Sequence, residues 1–189
     1  MILGTEVVIP LLTAFAISVA LSPFVIPFLR RLKIGQTERK EGVQSHLKKA
    51  GTPTMGGLII LMVIVVTSLL FIRQYPNIVP VLFLTVGFGI IGFLDDYLKV
   101  VMKRSDGLYP MQKMAGQIVV TTVFLAYMLM VDDSFLTVLI PFSGGEYFDC
   151  KWITVPLVYI AVIGTVNGVN FTDGLDGLAT GVTVMVAVF

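Results

Sequence analysis

Four aspartates stand where long apolar runs meet polar sequence: Asp95 and Asp96 close one run, and Asp173 and Asp176 precede another. Moving an aspartate to a bilayer centre costs about 2.5 to 3.5 kcal/mol on insertion scales, so an isolated acid at such a place need only mark the water boundary. The spacing asks for more. If the helix holding the first pair runs on through Lys99, Asp95 is four and Asp96 three residues from that lysine, which puts carboxylates and ammonium on one helical face. One ion pair accounts for one acid and leaves the other. Adjacent carboxylates repel unless a cation lies between them, and Mg2+, which takes hard oxygen ligands, suits Asp95 and Asp96 as a metal-binding pair.

Two further strings carry polar chemistry. The stretch Asn167-Gly168-Val169-Asn170-Phe171-Thr172-Asp173-Gly174-Leu175-Asp176-Gly177 concentrates amides, acids and glycines. Glycine lets backbone N–H groups approach a ligand closely, and Asn or Asp side chains can hydrogen-bond a sugar or a base edge. The plainer reading is an interfacial turn with Thr172 or Asp173 capping the next helix, but caps need one or two such residues, not this density. Earlier in the chain, His46, Lys48 and Lys49 precede Gly51-Thr52-Pro53-Thr54-Met55-Gly56-Gly57, which opens an apolar run. Free amides and the positive dipole end of a helix attract phosphate there. Thr54 as a simple N-cap is compatible with that, and a lysine pair beside a membrane would equally attract anionic lipid heads.

The elements that must hold these groups are membrane spans. Apolar residues make up 56% of the 189-residue chain and charged residues 13%, with a mean hydropathy of +0.93, far from the globular balance of about half apolar and a quarter charged. Spans of about 20 residues are expected at Val7 to Leu29, Gly57 to Ile72, Ile78 to Leu94, Ala115 to Val131 and Trp152 to Val169, with a sixth starting near Leu175. Continuous apolarity without alternation favours helices, so the fold class is an all-α polytopic membrane protein with six transmembrane helices.

Arg30, Arg31, Lys33, Arg39, Lys40, Lys48 and Lys49 lie between spans one and two, and Lys99, Lys103, Arg104 and Lys113 between spans three and four; Arg73 and Lys151 alone fall elsewhere. Both basic loops are then cytoplasmic and the N-terminus extracytoplasmic. Asp132 to Lys151 becomes extracytoplasmic, and alternating apolar residues around Ser143-Gly144-Gly145 suggest a small hairpin there. Tyr75 and Trp152 fall at outer boundaries, where amphipathic rings sit. Cys150 is the one cysteine, which excludes an intrachain disulfide and a clustered-thiol metal site. No basic stretch precedes the first apolar run, so a cleaved signal peptide is not expected. The net charge of +1 says nothing by itself about nucleic acid, since an even total can conceal segregation along the chain, and no nucleic-acid partner is expected. Phe189 falls inside the sixth run, so residues 1–189 are expected to be one transmembrane domain truncated within that span.

Taken in order and between helices, His46 to Gly57 (HLKKAGTPTMGG), Phe93 to Lys99 (FLDDYLK) and Asn167 to Gly177 (NGVNFTDGLDG) resemble the phospho-N-acetylmuramoyl-pentapeptide transferase family over essentially the whole chain. The resemblance implies transfer of phospho-MurNAc-pentapeptide from UDP-MurNAc-pentapeptide to undecaprenyl phosphate, giving lipid I and UMP for peptidoglycan synthesis. It also implies about ten helices in the whole protein, Mg2+, a homodimer, and a cytoplasmic active site in the bacterial inner membrane. Asp95 and Asp96 match paired acids implicated in metal handling and deprotonation of the lipid phosphate. Lys99 and Lys113 match active-site lysines near the diphosphate. Lys48, Thr52 and Thr54, with His46 beside them, match a first-loop phosphate or donor region. Asn170, Asp173 and Asp176 match a nucleotide-side pocket, Asn167 is expected to bind substrate with them, and Asp176 belongs to the catalytic group. A further acidic metal ligand and a histidine-rich loop of that family belong to a C-terminal half, so residues 1 to 189 alone are expected to be inactive.

Two other readings compete. A related transferase would use UDP-GlcNAc with the same lipid phosphate, although the Thr52 to Gly57 string favours the muramoyl branch. An ion-coupled transporter would use the aspartates as ion ligands, but such sites lie near the midplane at broken helices. A non-catalytic truncated homologue is the third possibility.

Overall fold

The computed structural model describes residues 4–31, 55–102, 104, 106–139, 144–145, 147–172 and 177–188. Six α-helices occur among them: α1 (Thr5–Arg31), α2 (Gly57–Phe71), α3 (Ile78–Val100), α4 (Pro110–Val131), α5 (Thr154–Thr172) and α6 (Leu178–Val188). Each coincides with an expected apolar run. Four segments, Thr5–Leu29, Ile78–Val100, Pro110–Val131 and Lys151–Thr172, are long and apolar enough to cross a membrane. The 15 residues of α2 make a helix only about 22 Å long at 1.5 Å per residue, short of the roughly 30 Å hydrocarbon core. The chain forms two compact units, Met1–Gly116 and Gln117–Phe189, divided within α4.

In the first unit α1 packs on α2 and α2 on α3. Pro10, Pro23 and Pro27 lie inside α1, a burden that a membrane helix tolerates when nearby hydroxyls and neighbours re-satisfy the freed carbonyls. A Cβ on Gly89 would come within 2.8 Å of Leu61 Cδ2, so the Leu61 side chain of α2 packs directly on this glycine of α3. Leu29 and Met55 are buried together, with Val25, Leu58 and Val100 against them. Met55 has a left-handed backbone, φ 65°, which costs a non-glycine residue roughly 1 to 2 kcal/mol; burying its side chain offsets that by about the same amount. The cluster fastens the C-terminal end of α3 to the ends of α1 and α2, and the first acid pair stands at that end.

The third helix runs through Lys99 to Val100, six residues past the apolar run, as the Asp95–Lys99 spacing requires. In the second unit, β1 (Thr137–Leu139) and β2 (Tyr147–Asp149) pair antiparallel with Thr137 opposite Asp149, so the expected hairpin is present. Gly144 and Gly145 take φ of 78° and 108° in its connection, which glycine alone adopts freely. The base of the hairpin is tied to α5: Thr154 Oγ1 donates to the Leu136 carbonyl at 2.8 Å, and the Cys150 N–H donates to the same oxygen at 3.1 Å. Tyr159 and Thr122 join α5 to α4 through their hydroxyls at 2.6 Å. Thr172 does not cap α6; its hydroxyl donates to the Val169 carbonyl within α5 at 2.8 Å, and α6 begins at Leu178, after Gly177 at φ 79°.

Among the described residues the buried apolar side chains are few, namely Leu29, Met55, Val63 and Leu125, while Phe15, Phe24, Met130 and Phe171 are exposed. Each large apolar side chain left in water forgoes about 1.5 to 3 kcal/mol. Helices that are apolar all round need lipid or further helices about them, and the chain is a membrane protein.

Candidate active site

The end of α3 and the segment after it form a closed polar knot. Asp95 is buried, and Lys99, one turn on, places Nζ 2.7 Å from Asp95 Oδ2. The other oxygen, Oδ1, accepts the Leu108 N–H at 2.9 Å. This second bond demands that the chain double back tightly, and Gly107 permits it: its φ is +62°, and a Cβ there would overlap Asp95 Oδ1 and lie 2.6 Å from Lys99 Cε. Arg104 then lies over the Tyr109 ring at 4.3 Å, a cation–π contact.

The return segment starts α4 with a defined cap. Tyr109 occupies the N-cap position, Pro110 the first helical position, which suits a residue without an N–H, and Gln112 Oε1 accepts the Tyr109 N–H at 3.2 Å. That is the back-reaching half of a capping box. Lys113 follows in the first turn, half-buried and near enough for its ammonium to act electrostatically on the Asp95 carboxylate. Asp96 is half-buried beside this cluster and is itself engaged in an interaction.

The knot therefore brings together Asp95, Lys99 and Lys113, with Asp96 adjacent. Chemically it presents the Lys99 ammonium held in place by a carboxylate that accepts a hydrogen bond at each oxygen. Mg2+ would meet carboxylates that are already engaged. Successive helical residues point about 100° apart, and both Asp95 oxygens already carry N–H donors. Asp96 supplies a hard oxygen donor of the kind that binds this ion together with waters and substrate phosphates. Among the described residues no three acidic, histidine or cysteine side chains gather as a metal cage.

In the second unit, Asn167 and Asn170 lie on the last turns of α5. Asn170 is exposed and Asn167 half-buried. Asn167 Nδ2 donates to Gln117 Oε1 at 2.8 Å and to the Ile163 carbonyl at 2.8 Å, while Gln117 Nε2 faces Asn167 Oδ1 at 3.4 Å. His46, Lys48, Thr52, Thr54, Asp173 and Asp176 lie outside the described residues. Sequence reasoning missed Gln117 and Gly107. A lone amide in the apolar run of α4 was a signal, because hydrocarbon tolerates such a group only with a partner, and Asp106-Gly107 was a turn dipeptide.

Comparison with known proteins adds the following. The model of glycosyl transferase family 4 matches residues 78–189, from the start of α3 onward. The phospho-N-acetylmuramoyl-pentapeptide-transferase signature 1 matches residues 49–61, which include Thr52 and Thr54. The chain is 48% identical over 177 residues to the phospho-N-acetylmuramoyl-pentapeptide-transferase of Acetivibrio thermocellus, covering 93% of this chain and 53% of the relative. It is 45% identical over 190 residues to that of Caldicellulosiruptor bescii, covering 99% and 58%, and 48% identical over 179 residues to that of Bacillus subtilis, covering 90% and 53%. The chain thus spans about half the length of the curated relatives it matches.

Proposed function

The chain belongs to glycosyl transferase family 4, and from that we propose that the protein transfers phospho-MurNAc-pentapeptide from UDP-MurNAc-pentapeptide to undecaprenyl phosphate, forming lipid I and UMP. The observation that carries the choice of sugar is the signature over residues 49–61, joined in one chain to relatives of that name. The geometry supports the chemistry. Phosphoryl transfer is mostly positioning and neutralisation of developing charge, and the end of α3 holds Lys99 against a buried carboxylate, with the Lys113 ammonium of α4 acting on it electrostatically.

In this mechanism an oxygen of the lipid phosphate attacks the donor phosphorus that bears the sugar. A phosphorus–oxygen bond forms to the lipid, the bond to the bridging oxygen breaks, and UMP leaves with that oxygen. Lys99 and Lys113 offset the negative charge of the two phosphate-bearing substrates as they meet. Asp95 holds Lys99 through Oδ2 and the Gly107–Leu108 turn through Oδ1, so it positions the ammonium. Asp96 takes the proton of the lipid phosphate and would hold Mg2+ together with the diphosphate. That ion, when bound, supplies further charge neutralisation. His46, Lys48, Thr52 and Thr54 serve the donor phosphates, and Asn170, Asp173 and Asp176 the uridine side.

The same reading places six spans in residues 1–189, with α2 and α6 crossing as well, the N-terminus and the β1–β2 hairpin outside, and the site at the cytoplasmic face of the bacterial inner membrane. The lysine and arginine distribution supports it. A homodimer, and inactivity of residues 1 to 189 alone, belong to it too; light scattering of the purified whole protein and a UMP assay of the short chain test them. The decisive experiment follows UMP release by the whole protein with Mg2+ and undecaprenyl phosphate. UDP-MurNAc-pentapeptide should be consumed, and Asp96→Asn should abolish turnover with little change in nucleotide binding. Consumption of UDP-GlcNAc in its place would refute the sugar assignment.

A further inference from the structure

Gln117 is almost completely enclosed, at 1% exposure, yet it carries the one amide in the apolar run of α4 from Ala115 to Val131. Such a group in a low-dielectric interior is costly unless paired, and its partner is Asn167 on α5. The atoms of the pair are determined by the helix. The Ile163 carbonyl can only accept, so the end of Asn167 lying 2.8 Å from it is the NH2 group. The second hydrogen of that NH2 points to Gln117 at 2.8 Å, which must present its oxygen, and the Gln117 NH2 is then left facing Asn167 Oδ1 at 3.4 Å. Both hydrogens of Asn167 are used within the fold.

Asn170 follows Asn167 at i+3, on the same face of α5, and is exposed. Two residues later the helix ends, with the Thr172 hydroxyl turned back onto Val169. The rotation of this final turn about the helix axis decides where Asn170 is presented, and the amide pair bonds the turn before it to α4. We infer that Gln117 and Asn167 are positioning residues for the nucleotide-side pocket, a reciprocal amide clamp that aims Asn170, and that neither touches the substrate. The inference rests on the transferase reading above.

The test uses the whole protein in detergent, with UMP affinity measured by calorimetry in Mg2+ and UDP-MurNAc-pentapeptide turnover measured as UMP release. Gln117→Leu and Gln117→Asn should each weaken UMP on the order of tenfold, since small misplacements of binding groups have effects of that size or larger. The kcat/KM for the donor should fall by the same factor, and KM for undecaprenyl phosphate should stay unchanged. The exchange Gln117→Asn with Asn167→Gln moves one methylene from one helix to the other and keeps the reach of the pair; it should return UMP affinity to within about threefold. Tyr159→Phe removes a different bond between α4 and α5 and should leave UMP affinity intact, which separates aiming from mere cohesion. Unchanged affinity in Gln117→Leu, failure of the exchange to recover what the single changes lose, or an equal loss in Tyr159→Phe would overturn the clamp. A wild type that binds UMP but consumes only UDP-GlcNAc would overturn the sugar assignment and leave the clamp standing on its UMP data; a wild type that binds no UMP would overturn both.

Discussion

At Asp95 two demands meet on one carboxylate, and they separate under substitution. The ion pair with Lys99, a side chain 42% exposed, contributes about 0 to 1 kcal/mol, because solvent screens it. The bond from the Leu108 N–H contributes more, about 1.5 to 3 kcal/mol, since a charged acceptor is involved. Asp95→Asn keeps an acceptor for Leu108 but loses the charge and turns its NH2 toward Lys99, so unfolding in detergent should show a loss of about 1 kcal/mol. Asp95→Ala leaves that N–H without its partner and should lose about 2 to 3 kcal/mol. Equal losses would mean that the turn does not hang on this oxygen. Gly107→Ala attacks the same knot from the other side, adding a left-handed penalty of about 1 to 2 kcal/mol to a Cβ that overlaps the carboxylate. Turnover should fall at least tenfold, because Lys99 must move. Gly92→Ala, where a Cβ meets nothing within 4 Å, is the control and should leave stability level or up by about 1 kcal/mol.

Among the elements, α4 and α5 are joined by polar bonds whose donors can be named. The one proton of Thr122 goes to the Ile118 carbonyl at 2.7 Å, so the Tyr159 phenol is the donor in their 2.6 Å contact. Tyr159→Phe removes that donor and should lower stability by about 0.6 kcal/mol, and by no more than about 1.7 kcal/mol, the range for hydrogen bonds between membrane helices. Thermal unfolding in detergent measures it, and a loss of several kcal/mol would show that the ring does more than donate. These bonds also mark what could be read without coordinates. The apolar runs predict the helices because length and apolarity alone decide a span, and Asp95 with Lys99 is legible because i,i+4 geometry is local. Gln117 with Asn167 is not: 50 residues separate them, and no local spacing announces which amide meets which. The Leu108 bond to Asp95 escapes for a related reason, since a backbone donor has no residue type to betray it. The start of α6 is misjudged by three residues because Leu175 is apolar but Gly177 takes the positive φ from which the helix begins.

For the molecule as a whole, the governing asymmetry is charge. Eleven of the 13 lysines and arginines fall in two loops, at 30–49 and 99–113, and the acids Asp132, Asp133, Glu146 and Asp149 crowd the segment between α4 and α5. Basic loops stay cytoplasmic during insertion, and both phosphate-bearing substrates of the proposed reaction bring negative charge to that side. Lipid-phosphate chemistry at the ends of spans works only if the three polar strings share one face of the bilayer, so sidedness is where the functional reading is most exposed to refutation. Cys150 provides a native probe: it is a free, half-exposed thiol beside the hairpin. In intact cells a membrane-impermeant maleimide should label the protein at Cys150, and Cys150→Ser should remove the label from that position. In the Cys150→Ser background, thiols introduced as Lys48→Cys, Lys103→Cys and Asn170→Cys should all be protected until the membrane is opened. Labelling that split those three positions between the two sides would separate the nucleotide region from the lysines and leave no common place for the lipid phosphate and the nucleotide to react.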